Sequence, residues 1–250
     1  MRALLLASLF TLTAACNAGA QGNGGGQGNA GGGQANAGGS ASRAFQVASF
    51  DRIDLTGASN VIVTVGGPVA VSAEGNAGQV ERLDINVVDG ELRIGMRSGS
   101  CSGDCRVTVR VTVPSLQAAA LSGAGDIRID HVQGSRFAAS VSGAGELDIA
   151  QLRVATASFN LTGNGSIRAA GGAQQASATL SAAGNLSLAG FETADATVAL
   201  TGAGNVELRA TRAATVQLSG VGNVDITGGA RCTVARSGLG EVHCGGADAG

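Results

Sequence analysis

Seven short segments of this chain are variations on one phrase. LSGAGDIRID, from Leu121 to Asp130, returns as VSGAGELDIA, LTGNGSIRAA, LSAAGNLSLA, LTGAGNVELR, LSGVGNVDIT and RSGLGEVHCG. The Ser or Thr that opens each turn stands at Ser122, Ser142, Thr162, Ser181, Thr201, Ser219 and Ser237, a period of 18 to 20 residues. A period of that length, carried by strand-type alternation, marks a solenoid. Apolar pairs such as Ala119/Leu121 and Val198/Leu200 precede the turns, and Ile127/Ile129 and Val206/Leu208 follow them, with no sustained helical period anywhere. One such coil cannot bury its apolar face alone. Stacked about 4.8 Å apart, the coils place Leu on Leu and Val on Val down a narrow interior while each backbone pairs with its neighbours. The expected fold is all-β: a single-stranded parallel β-helix of 18 to 20-residue coils with Gly-rich turns, right-handed by the usual chirality of parallel connections.

Within the turns, Gly125, Gly145, Gly165, Gly184, Gly204, Gly222 and Gly240 recur at one position, where a positive φ is expected to let the chain reverse without steric penalty. The next side chains, Asp126, Glu146, Ser166, Asn185, Asn205, Asn223 and Glu241, are expected to stack as a polar ladder along one edge. A glycan or a cation can use such a ladder, although polar turn chemistry by itself also accounts for these residue types.

The regular phrase has irregular flanks. Phe50 to Val65 already has the repeat's shape, with Ile53 and Leu55 before a TGASN turn and Val61, Val63 and Val65 after it. Segments around Val69–Val71, Leu83–Val87, Leu92–Ile94 and Val107–Val113 alternate at strand period but repeat less strictly. At the other end, alignment sets Cys232 and Cys244 at the inward positions filled one coil earlier by Ala214 and Ile226, and Arg236 at the position of Leu218. A disulfide between Cys232 and Cys244 and an inward charge would keep the open sheet edge from recruiting another chain.

Upstream of the repeats the chain changes character. Residues 1–15, MRALLLASLFTLTAA, carry one positive charge and an apolar run too short to span a bilayer, which reads as a signal peptide. The stretch LTAAC resembles a bacterial lipoprotein signal, making Cys16 the expected lipidation site; cleavage near Ala18-Gly19-Ala20 by an ordinary secretory route is the rival reading. Asn17 is not the acidic residue that retains lipoproteins in the inner membrane, so the expected location is the outer membrane. Residues 16–43 then form a lipidated cysteine and a flexible tether of Gly, Asn, Gln, Ala and Ser, leaving 44–250 as the β-helix domain. With Cys16 set aside, four cysteines remain for an oxidising compartment: Cys101 and Cys105 can close a small loop in CSGDC, and Cys232 and Cys244 are the other candidates.

Chemistry is sparse. Sixteen basic residues face eighteen acidic ones without a basic block, which argues against nucleic acid as a partner. The cysteine spacing lacks the paired knuckles of a metal site. His131 and His243 lie in different coils and read as surface residues, and the coils leave little room for the inserted loops that build clefts in β-helical polysaccharide-cleaving enzymes. Asp126 and Glu146, one coil apart, have a spacing compatible with paired carboxylates, yet no aromatic subsite accompanies them. The acidic turn position becomes Ser or Asn in four of seven copies, unlike the repeated Asp of calcium-binding β-rolls. SGAGD joins strand to strand with neither a following helix nor a Lys, so it is not a phosphate loop. The expectation is a non-enzyme with no catalytic residues, no metal and no cofactor.

Three stretches together resemble a known bacterial family, the putative auto-transporter adhesin head (GIN) domain: FDRIDLTGASNVIV at Phe50 to Val63, VDGELRI at Val88 to Ile94, and the serial SGAG-[DEN] turns. The resemblance spans about 45–245 and implies a parallel β-helix at the cell envelope, adhesin-like, without functional residues to carry over. Two functions follow as alternatives. One is a lipid-anchored module that presents its β-helical surface to glycan or protein; the other is a structural or self-associating envelope spacer. The absence of Trp and Tyr favours polar, multivalent contacts over aromatic hot spots.

Overall fold

Alternation of apolar and polar residues at period two commits almost every segment to strand. The computed structural model describes residues 39–98 and 106–245, which belong to the unit Gly38–Gly250. Before the repeats come β1 (Ser40–Phe45), β2 (Arg52–Leu55), β3 (Asn60–Val65), β4 (Ala70–Asn76), a single helical turn α1 (Ala77–Val80), β5 (Leu83–Val88), β6 (Glu91–Met96) and β7 (Val107–Val113). The repeats supply β8 (Ala118–Leu121), β9 (Ile127–Ile129), β10 (Val132–Val141), β11 (Glu146–Leu161), β12 (Ser166–Leu180), β13 (Asn185–Leu200), β14 (Asn205–Leu218), β15 (Val224–Thr227), β16 (Arg231–Arg236) and β17 (Val242–Cys244). From β8 onward, coil pairs with coil in parallel, so the expected β-solenoid is the fold.

Each regular coil has three flat stretches. In β11 the inward residues are Leu147 and Ile149, then Leu152 and Val154, then Ala157, Phe159 and Leu161, separated by exposed pairs at Ala150–Gln151 and Ala155–Thr156. The third corner is the Gly-rich turn. Register stacks like on like: Leu55, Leu121, Val141, Leu161, Leu180, Leu200 and Leu218 form one continuous buried column. Three phenylalanines enter this narrow interior where their neighbours are small. Phe159 stands in register between Ala139 and Ala178, and Phe137 beside Ala157. Phe191 lies in register with Gly171, and its ring meets Phe159 edge-on at 5.4 Å between centroids.

The coils do not stack in chain order at the N-terminal end. The β2/β3 coil is inserted between the later β6/β7 and β8/β9 coils, pairing in parallel with both. Beyond it, the irregular segments cover the end of the stack: β5 runs antiparallel to β6, β4 antiparallel to β7, and β1 antiparallel to β4. These strands occupy the edge that a bare solenoid would leave open. β1 begins at Ser40, ahead of the tether boundary read from composition, because edge pairing uses backbone groups and needs little from side chains beyond Ala41 and Phe45, which pack on the core.

The turn glycines act differently from the expectation. None of the positions from Gly125 to Gly240 in the turns has positive φ; that conformation occurs at glycines such as Gly66, Gly90 and Gly229, outside the repeated turns. What the turns require is close approach. A Cβ on Gly143 would overlap the carbonyl oxygen of Gly123, and one on Gly145 that of Gly125, with the same relation repeated down the stack to Gly240 over Gly222. Backbone bonds run through this contact, as in Ala144 N–H to Gly123 O at 3.1 Å and Val221 N–H to Gly202 O at 3.1 Å.

At the C-terminal end, Cys232 is in register with Ala214 and Cys244 with Ile226, and the two cysteines are joined by a disulfide. Arg236 takes the register position of Leu218, but with no coil beyond it among the described residues it is exposed, and its Nη1 donates to the Gly240 carbonyl at 3.2 Å.

Candidate functional site

The turn residues that follow each SGAG phrase are set one above another by strand register, Glu146 on Ser166, Ser166 on Asn185 and Asn185 on Asn205. Their side chains also join the coils. Asp126 Oδ1 accepts the Glu146 backbone N–H at 3.0 Å. Asn205 Nδ2 donates to Asn185 Oδ1 at 3.3 Å, and Asn205 Oδ1 accepts from the Asn223 N–H at 3.3 Å. Asn223 Oδ1 in turn accepts from the Glu241 N–H at 3.2 Å. A short acceptor side chain here reaches the next coil's amide, which is why Asp and Asn recur.

A second outward column lies two residues further along each strand, since alternate residues share a face. Arg168, Ser187 and Glu207 are in register beside Ser166, Asn185 and Asn205. These six side chains border a surface groove of about 340 Å³. The small Ser187 sits between a cation and an anion, so Arg168 and Glu207 stand about 10 Å apart across two coil spacings. Arg168 Nε lies 2.8 Å from Glu146 Oε1 at one end of the groove. The array offers hydroxyls, carboxamides and both charge signs on a flat support, which suits hydrogen bonding to a polar ligand. The sequence reading found the first column and missed the second, whose residue types vary too much to register as a repeat.

The carboxylates weighed as a pair are engaged separately, Asp126 by a backbone amide and Glu146 by Arg168. His131 Nδ1 lies 3.2 Å from Asp130 Oδ2. His243, on the last coil, has Nδ1 3.4 Å from Asp225 Oδ1 and Nε2 3.5 Å from Glu241 Oε2. Both histidines are surface residues, with side chains 37% and 61% exposed. Among the described residues no group of three or more His, Cys, Asp or Glu is placed to hold a metal ion. Cys16, Cys101 and Cys105 lie outside the described residues.

Comparison with known proteins bears on the fold and the family. No curated protein matches the chain. Among solved structures, a putative adhesin from Bacteroides fragilis is similar with a TM-score of 0.78 at 21% identity, covering 82% of this chain and 96% of its own. A putative adhesin from Parabacteroides distasonis aligns with a TM-score of 0.67 at 20% identity over 82% of this chain and 97% of its own. A putative lipid binding protein from the same species reaches 0.57 at 14% identity over 83% and 95%. At these identities the likeness is one of fold. The family described as "Putative auto-transporter adhesin, head GIN domain" matches residues 49–230, from just before β2 to just before β16, and the chain belongs to that family.

Proposed function

We propose that this protein is an exported, adhesin-like binding module of the cell envelope that presents its β-helical surface to glycan or protein and performs no catalysis. The groove between the turn ladder and the Arg168–Ser187–Glu207 column carries this reading. It supplies many weak polar contacts on one rigid support, the arrangement by which a surface without Trp or Tyr gains avidity. Family membership supports the adhesin-like role. The N-terminal signal and Cys16 support attachment through a lipid, with the outer membrane as the destination. No helix among the described residues is long and apolar enough to cross a membrane, so in this reading the lipid supplies the anchor.

Two measurements test it together. Protease added to intact cells should clip the natural protein, while Cys16→Ser should release the protein to the periplasm or medium. Purified body on glycan and matrix-protein arrays should bind, and the double variant Arg168→Glu/Glu207→Arg should lose that binding at unchanged melting temperature. Cleavage only after lysis, with no array binding by either form, would replace this reading with the structural spacer.

A further inference from the structure

A second groove lies on another face of the solenoid, near its N-terminal end. It has a volume of about 630 Å³ and is bordered by Asp51, Arg52, Gln117, Arg136, Thr156 and Ser158, with Ala118 and Ala138 on its floor. Register explains the depression. Arg52, Ala118, Ala138 and Ser158 form one outward column, in which two methyl groups follow a long side chain. The column therefore dips over about 14 Å, three coil spacings.

The charges around the groove are unequal. Arg52 donates through Nη2 to the Asp89 carbonyl, and its Nε lies 3.6 Å from Asp51. Asp51 also accepts from the Gln117 side-chain amide at 2.6 Å. Asp51 and Arg52 thus answer one another. Arg136, on the opposite rim, has no hydrogen-bond or ion-pair partner among the described residues. Its neighbour in register is Thr156, a hydroxyl rather than a carboxylate. An exposed guanidinium left uncompensated beside a groove offers a planar fork suited to a carboxylate.

We infer that this groove binds a carboxylate-bearing sugar within a short acidic oligosaccharide, the carboxylate on Arg136. The sugar hydroxyls meet the polar groups of Gln117, Thr156 and Ser158, and the apolar face of the ring lies on the methyls of Ala118 and Ala138. Charge complementarity favours an acidic sugar over a neutral one, which leaves Arg136 unanswered. This deepens the binding-module reading and rests on it, while using residues distinct from the turn-ladder groove.

The experiment is isothermal titration of the full folded body with trigalacturonic acid, its fully methyl-esterified form, and inorganic phosphate. The acid should bind and the ester should bind at least about tenfold more weakly, the scale of a lost hydrogen bond to a charged group. Phosphate should compete only weakly, because it cannot use the groove floor. Arg136→Gln should weaken the acid at least about tenfold, while Arg231→Gln should leave it unchanged. Arg231 lies far down the stack and is likewise exposed. Matched melting temperatures show that each variant is folded. Equal binding of acid and ester, competition by phosphate as strong as by the trisaccharide, or unchanged binding by Arg136→Gln overturns the inference. Loss of acid binding in Arg168→Glu/Glu207→Arg but not in Arg136→Gln also overturns it, yet leaves the binding-module reading in place. Absence of any array ligand as well as of the acid overturns both.

Discussion

The carboxylate of Asp126 accepts the backbone N–H of Glu146 at 3.0 Å, one coil further along the stack. The same step, made by Asn205 to the Asn223 N–H and by Asn223 to the Glu241 N–H, makes the polar side chains of these turns part of the next turn's backbone pairing. Asn205→Ala should therefore destabilise the body by about 1 kcal/mol, a net hydrogen bond's contribution, as measured by urea unfolding. Ser166→Ala, at the same register position, should cost less because its hydroxyl makes no ladder bond among the described residues.

The turn stacking makes a sharper claim about Gly143. Its carbonyl neighbour, Gly123 O, occupies the space a Cβ would need, whereas a Cβ on Gly134 meets nothing within 4 Å. Gly143→Ala should destabilise by about 1–3 kcal/mol through backbone overpacking, and Gly134→Ala should be near neutral. Thermal melts of the two variants make the comparison. A small effect at Gly143 would mean that the turns separate easily.

Phe159 fills space left by Ala139 and Ala178 and touches Phe191. Phe159→Ala should cost about 3–5 kcal/mol, the range for deleting a buried ring. Ala178→Val should also destabilise, since the space beside Ala178 already holds the ring. Denaturant unfolding of both variants tests whether the small and large residues are matched across coils.

The bond between Cys232 and Cys244 closes a short loop, with a sequence separation of 12, in the last described coil of the stack. Its reduction should remove about 2–4 kcal/mol on the chain-entropy account. The loss should appear first as faster amide hydrogen exchange in β16 and β17, with β11 to β13 still protected. Uniform loss of protection along the stack would show that the end coil is not an independent fraying unit.

Arg212 holds Asp195 through Nε to Oδ1 at 2.7 Å and a second bond from Nη2 to Oδ2. These hydrogen bonds, chiefly, and the nearby positive charge keep the Asp195 carboxyl below its ordinary value. A depressed carboxylate contributes stability above its unfolded value, and the contribution fades as pH falls through the folded value. Carboxyl NMR titration should show the Asp195 midpoint rise in Arg212→Gln. Arg212 is exposed and Asp195 only half-buried, so the accompanying change in acid stability should be small.

The phrase from Leu121 to Asp130 and its copies determined the coil length, the inward columns, the polar ladder and the positions of Cys232 and Cys244 one coil beyond Ala214 and Ile226. Those features depend on alternation and period, which are properties of the chain read locally. Tertiary structure decided the rest. Local patterning makes the β2/β3 coil and the β6/β7 coil equally acceptable neighbours for β8/β9, because all present the same apolar columns; only the assembled stack selects the β2/β3 coil for the inside. The role of Gly143 was equally hidden, since a glycine needed for positive φ and one needed for close approach look alike in sequence. The groove at Arg136 arises from Arg52, Ala118 and Ala138 meeting across three coils, the first of them far upstream of the other two in the chain. Such a depression is a relation between neighbours in space, and no single repeat contains it.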